Sequence, residues 1–176
     1  MATATRSMTD RIVGALRLDE ETYEEIEADE KATGEAAFIV VASAIVAAAG
    51  YALRVGGEVN AGLIGAIAEL IGWAVFAWFA WLVGTKLFPA STTRSTWGEI
   101  ARTTGYAHTP RFLLILVAIP GFFGLIRLVV SIWILAASVV ALRAALDCTT
   151  LRAIAVGVVA TILQLIVVSV LVGALS

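Results

Sequence analysis

The sequence predicts an all-α, polytopic integral membrane protein: five transmembrane helices preceded by a short amphipathic cytoplasmic helical segment. Three observations point there. Hydrophobic residues make up 60% of the 176 positions and charged residues only 15%, against roughly a quarter charged in soluble domains. Mean hydropathy is +0.95, more apolar surface than a water-soluble fold of this length can hide. The charges are also segregated, with nine of the fourteen carboxylates lying between Asp19 and Glu35. This composition excludes an ordinary soluble enzyme and a disordered tail. A net charge of −2 with no basic run gives no reason to expect nucleic acid. Cys148 stands alone, which excludes an internal disulfide and a thiolate metal cluster.

Residues 1–35 form the first unit, a cytoplasmic amphipathic and acidic tail. Met8, Ile12, Val13 and Leu16 recur at helical spacing beside Arg11 and Arg17, which suits a short interfacial helix. Asp19 reads as the N-cap of a second helix, with Glu20 and Glu21 complementing its dipole. Tyr23 and Ile26 give that helix a thin apolar stripe, and Lys31 and Gly34 mark its end. No stretch in this tail resembles the core of a cleavable signal.

Residues 36–176 form the second unit, with approximate spans at 36–55, 61–85, 102–119, 122–142 and 152–175. The first is free of charge from Ala36 to Leu53, and about eighteen such residues suffice for a membrane helix. The second carries one charge, Glu69. Without a break, Arg111 to Leu142 would form one helix too long for a hydrocarbon core of ~30 Å. Pro120-Gly121, the best turn signal in the apolar region, divides it into a third and a fourth span. Ala153 to Ser176 supplies the fifth.

Charge placement supports this count. With five spans, Arg17, Lys31, Lys86, Arg94, Arg102, Arg143 and Arg152 share one side, leaving Arg54 and Arg127 opposite. That asymmetry predicts a multi-pass protein, in a prokaryotic cell membrane, with a cytoplasmic N-terminus and an external C-terminus. Ten Arg against two Lys, with abundant Ala and Gly, fits a GC-rich prokaryotic source.

No catalytic constellation stands out. His108 is the single histidine, and neither a G-x-S-x-G element nor a phosphate-binding loop is present. The chain is expected to be no enzyme and to need no cofactor or metal. Glu69 is the polar residue of most interest. A carboxylate about a third of the way into a span costs about 2–3 kcal/mol or more unless paired, protonated or wet. Arg127 enters the fourth span to a similar depth, so a Glu69–Arg127 pair is expected, either locking the fold or forming a proton or substrate site. His108, beside Pro110, is expected near the inner face and far from Glu69. Gln164 fits an interhelical hydrogen bond.

Gly62, Gly65, Glu69 and Gly72 share a face open to another backbone, within the chain or in a homo-oligomer. Trp73, Trp78, Trp81 and Phe88 fit an aromatic belt. The acidic stretch reads as a solvated face or as a surface for a basic cytoplasmic protein, with Tyr23, Glu24, Ile26 and Glu27 as candidate contacts. The expected partners are therefore the lipid bilayer, a second copy of the chain and a cytoplasmic protein.

The segment Gly105-Tyr106-Ala107-His108-Thr109-Pro110 opening the third span resembles the Ypt-interacting protein (YIP) domain membrane family. So do the amphipathic tail and the five-span pattern. Arg11-Ile12 through Leu18, then Glu21-Thr22-Tyr23 and Ile26, is similar to the start of its prokaryotic members. Gly105, Tyr106 and Pro110 are the residues of the family-like motif. The resemblance implies a polytopic membrane domain that self-associates. The expected function is that of a non-enzymatic interaction or membrane-organising module, with the acidic tail and the small-residue helix faces as its contact surfaces. Eukaryotic relatives bind Rab-type GTPases in vesicle traffic. This sequence has no Asp-Leu-Tyr-Gly-Pro motif before its first span, so the resemblance does not carry GTPase binding over. The alternative expectation is a small transporter or channel subunit centred on Glu69 and Arg127.

Overall fold

A computed structural model describes residues 6–55, 59–89 and 93–175. The described residues form helices and connecting turns, with no strand among them. Four helices there are long and apolar enough to cross a membrane.

Two short helices come first. Helix α1 (Met8–Leu16) starts at a capping box in which Ser7 and Asp10 satisfy each other's backbone N–H groups. It ends in a tight turn: Leu18 adopts φ 59° while the N–H groups of Leu18 and Asp19 return to the carbonyls of Ala15 and Gly14. Helix α2 (Glu20–Ala28) follows at once. Asp19 precedes it as expected, but its side chain accepts from the Thr22 hydroxyl instead of capping a backbone N–H.

Helix α3 (Ala32–Val55) begins earlier than the apolar run, because Glu35 and Gly34 lie inside its first turns. Gly34 therefore does not end the preceding helix, which stops at Ala28. Helix α4 (Val59–Trp81) continues as a π-helical stretch over Leu82–Leu87. Helix α6 (Phe123–Ala145) and helix α7 (Thr150–Leu175) lie within a few residues of the expected fourth and fifth spans.

The third segment departs most from expectation. It begins as helix α5 (Trp97–Tyr106), inside the expected connection between the second and third spans, behind a Thr96/Glu99 capping box. At Thr109, with Pro110 in its first turn, it tightens into a ten-residue 3-10 helix ending at Ala118. Leu113, Leu116 and Ile119 are the exposed apolar residues here, spaced by three as a 3-10 helix requires.

Helix α5 is the least apolar of the longer elements and the most enclosed. Every residue from Ile100 to Ala107 is buried, among α2, α3, α4 and α6. Its hydroxyls turn back on their own helix: Thr103 bonds the Glu99 carbonyl and Thr104 the Ile100 carbonyl. Self-contained bonding of this kind lets threonine occupy an apolar centre.

Two close approaches set the direction of the third segment. A Cβ on Gly105 would stand 2.6 Å from Ala36 Cβ, and one on Gly50 would stand 2.8 Å from Ile115 Cα. The segment therefore runs parallel to α3, in contact with it over about 21 Å of its length. Gln164 of α7 donates to the Gly72 carbonyl of α4 at 2.9 Å, the expected interhelical bond. Trp73 is turned inward and donates to the Ala101 carbonyl, so it is no part of a lipid-facing belt, whereas Trp78 is 47% exposed.

Candidate functional site

Two polar clusters meet on the third segment. The first ties the N-terminal helices to it. Arg11 is 2% exposed, and its guanidinium lies 3.1 Å from Glu25, 2.6 Å from Asp29 and 3.2 Å from Glu35. Glu35 also accepts from the Tyr106 hydroxyl. One buried cation thus joins α1 to α2 and α3, and through Tyr106 to α5.

Burial acts to lower the Arg11 pKa, but the bonds to Asp29 and Glu25 outweigh it and hold the group above the ordinary arginine value. The Arg11 bond in turn holds the Asp29 carboxyl below the usual carboxylate range. Around this centre Trp133 donates to the Leu16 carbonyl at 2.9 Å, Arg102 to the Glu27 carbonyl at 3.2 Å, and Arg143 pairs with Glu20. Glu27 sits at this boundary. Burial, then Asp147, Glu24 and Glu99, push its carboxyl up to about 7, with Arg102 opposing.

These contacts correct the expected partner surface. Tyr23 and Ile26 are both 0% exposed, packed into the main core, and Glu27 is half-buried. The apolar stripe of α2 faces the bundle because α5 and α6 cover it. Of the four named residues only Glu24 is exposed, on the same outward ridge as Glu20 and Glu21.

The second cluster surrounds Glu69. Its carboxylate pairs with Arg111 of the 3-10 helix and lies 3.6 Å from His108 Nε2. His108 Nδ1 meets the Thr104 carbonyl at 2.9 Å, so that nitrogen carries a proton and donates it. All three side chains are partly exposed, at 27%, 26% and 16% for Glu69, Arg111 and His108.

The expected Glu69–Arg127 pair does not form. Helix α4 packs chiefly on α3, α5 and α7, whereas Arg127 of α6 lies 5.3 Å from the centre of the Phe123 ring. Arg54 stacks on the same ring at 4.4 Å. His108, expected far from Glu69, is beside it, because the third segment starts earlier than expected, at Trp97, which carries His108 further along the segment to the level of Glu69. The Trp73–Ala101 bond lies one helical turn below on the same seam.

The motif residues hold this arrangement together. Gly105 admits Ala36, Tyr106 reaches Glu35, and Pro110 is buried at the start of the 3-10 helix. Arg11, Glu35 and Arg111 were missed as site residues. The Thr96-x-x-Glu99 capping signature would have placed α5 and shifted the third segment's register. Among the described residues no group of three or more His, Cys, Asp or Glu is arranged to hold a metal ion.

The family model of the Yip1 domain matches residues 14–172. The chain belongs to the Yip1 family. The match takes in α2 through nearly all of α7, and with the apolar helices it makes this Yip1-domain chain a multi-pass membrane protein. Comparison with curated proteins and with solved structures finds no match.

Proposed function

We propose that this Yip1-domain protein crosses the membrane five times, with its N-terminus in the cytoplasm, and acts without catalysis as an interaction or membrane-organising module. The parallel course of α3 and the third segment supports a fifth crossing: α5 and the 3-10 helix together reach about 35 Å. Charge asymmetry supports the orientation.

The observation that carries the interaction reading is the division of labour among the tail carboxylates. Glu25, Asp29 and Glu35 are turned inward onto Arg11, while Glu21 and Glu24 face outward beside Glu20, which Arg143 matches; Arg6 lies 3.7 Å from the highly exposed Glu21. A ridge anchored in this way presents fixed negative charge to a basic partner at little entropic cost. Deleting the tail would take Tyr23 and Ile26 out of the core and uncover the faces of α5 and α6 they pack on, so point changes are the better test. Crosslinking in native membranes should capture a cytoplasmic partner with the wild-type chain. That capture should be lost on Glu21→Lys plus Glu24→Lys. Equal capture by both chains would sink the reading.

A second reading, a small transporter or channel subunit, is favoured by one observation. Glu69, His108 and Arg111 meet where a helix changes geometry, and broken helices with charged groups are how transporters build sites. Proteoliposome flux abolished by Glu69→Gln at unchanged expression and oligomeric state would support it. Absence of any flux would exclude it.

A further inference from the structure

At the end of the bundle that carries the N-terminal helices, a groove of about 430 Å³ opens between the π-helical end of α4 and the first turns of α7. Val83, Phe88 and Pro89 line one side, and Ala155, Val156 and Val159 line the other. Arg152 is its one charged residue among those described. The guanidinium is anchored: Nη2 donates to the Gly84 carbonyl at 3.0 Å and to the Phe88 carbonyl. Nε is shut away from solvent. That leaves Nη1 as the donor edge for the groove. Among the described residues no carboxylate pairs with Arg152, whereas Arg143 at the same end is matched by Glu20.

An aliphatic channel headed by an uncompensated, rigidly held guanidinium is complementary to one kind of molecule, an anion on a hydrocarbon chain. The groove has the volume of a small-ligand site, commonly about 300–1,000 Å³. Its level in the bundle matches as well. Arg152 is the third residue of a 26-residue apolar helix, the depth at which phosphates meet the hydrocarbon core of ~30 Å. The π-helical geometry of Leu82–Leu87 matters too. It turns the Gly84 carbonyl toward Arg152, so the guanidinium is fixed at the mouth of the groove and does not trail into water.

We infer that this groove binds an anionic phospholipid from the adjoining leaflet, its phosphate on Arg152 and one acyl chain along Ala155, Val156 and Val159. The inference needs only the membrane reading, and stands whether or not the acidic ridge binds a protein.

The full chain, reconstituted in nanodiscs of equal phosphatidylglycerol and phosphatidylcholine and then released into detergent, should retain phosphatidylglycerol preferentially in native mass spectrometry. Arg152→Gln should lower that retention about tenfold, as loss of a charge-assisted contact does, and Arg152→Lys should restore part of it. Ala155→Trp, at an exposed position inside the groove, leaves Arg152 in place and should reduce retention by blocking the chain. This variant keeps the test valid if Arg152→Gln misfolds. Equal retention of the two lipids would overturn the inference. So would unchanged retention by Ala155→Trp, or displacement of the lipid by inorganic phosphate alone.

Discussion

Arg11 Nη1 lies 3.2 Å from Glu35 Oε2, placing a guanidinium from the first short helix against the opening turns of the first long apolar one. The pair is part of a larger set, since the same guanidinium holds Glu25 and Asp29. A cation 2% exposed and surrounded by three carboxylates leaves a large uncompensated charge when it is removed. Arg11→Met is expected to destabilise the fold by about 3–5 kcal/mol. It should also open the chain near Arg17 and Lys31 to trypsin, measured in detergent. Combining it with Glu25→Gln and Glu35→Gln should recover part of the loss.

The close approaches make glycine substitutions unequal. Gly50→Val would drive a side chain into the Leu114 and Ile115 backbone, and Gly105→Val would collide with Ala36. Overpacking of this kind costs about 1–3 kcal/mol or more, and should show as a lower thermal midpoint. A Cβ on Gly65 meets nothing within 4 Å. Gly65→Ala should therefore be neutral, or stabilising by about 0.5–1 kcal/mol through its helix preference.

Glu27 makes stability depend on pH. Its folded-state value of about 7 lies above the ordinary 4.5, so the fold favours the protonated form. That contribution is fully present below about 4.5 and is lost as pH rises through 7. Because the side chain is only half-buried, about 1–2 kcal/mol is expected over this window. Denaturant titrations between these limits should show the slope, and Glu27→Gln should flatten it. Asp147→Asn removes a repelling charge and should move the window downward.

Glu69 should be coupled energetically to Arg111 and not to Arg127. In a double-mutant cycle with Glu69→Gln, Arg111→Gln is expected to give an interaction energy of about 1 kcal/mol or more. Arg127→Gln should add independently, within about 0.5 kcal/mol. The readout is unfolding in detergent, and the opposite ranking would contradict the observed contacts.

The long apolar helices were legible because composition and length alone define a membrane-crossing segment. Gln164 was legible for a related reason, since an amide inside such a segment must find a partner. Which helices are neighbours was not legible. Glu69 and Arg127 match in depth, but depth along two axes carries no information about their separation across the bundle. The tail periodicity identified Tyr23 and Ile26 as an apolar pair without saying what covers them. Helix α5 was hidden by its own chemistry. Thr103, Thr104 and Glu99 look like a loop in composition, whereas their hydroxyls and backbone are satisfied locally and the helix is central.

The 3-10 geometry of Thr109–Ala118 has a mechanical meaning. At about 2.0 Å per residue this stretch is some 5 Å longer than the same ten residues wound as an α-helix. That added length keeps Leu114 level with Gly50 while Gly105 stays against Ala36. Rewinding the stretch would pull one of these contacts out of register. The third segment is in effect a strut cut to the distance between two glycine contacts, both of which lie on the helix that carries Glu35.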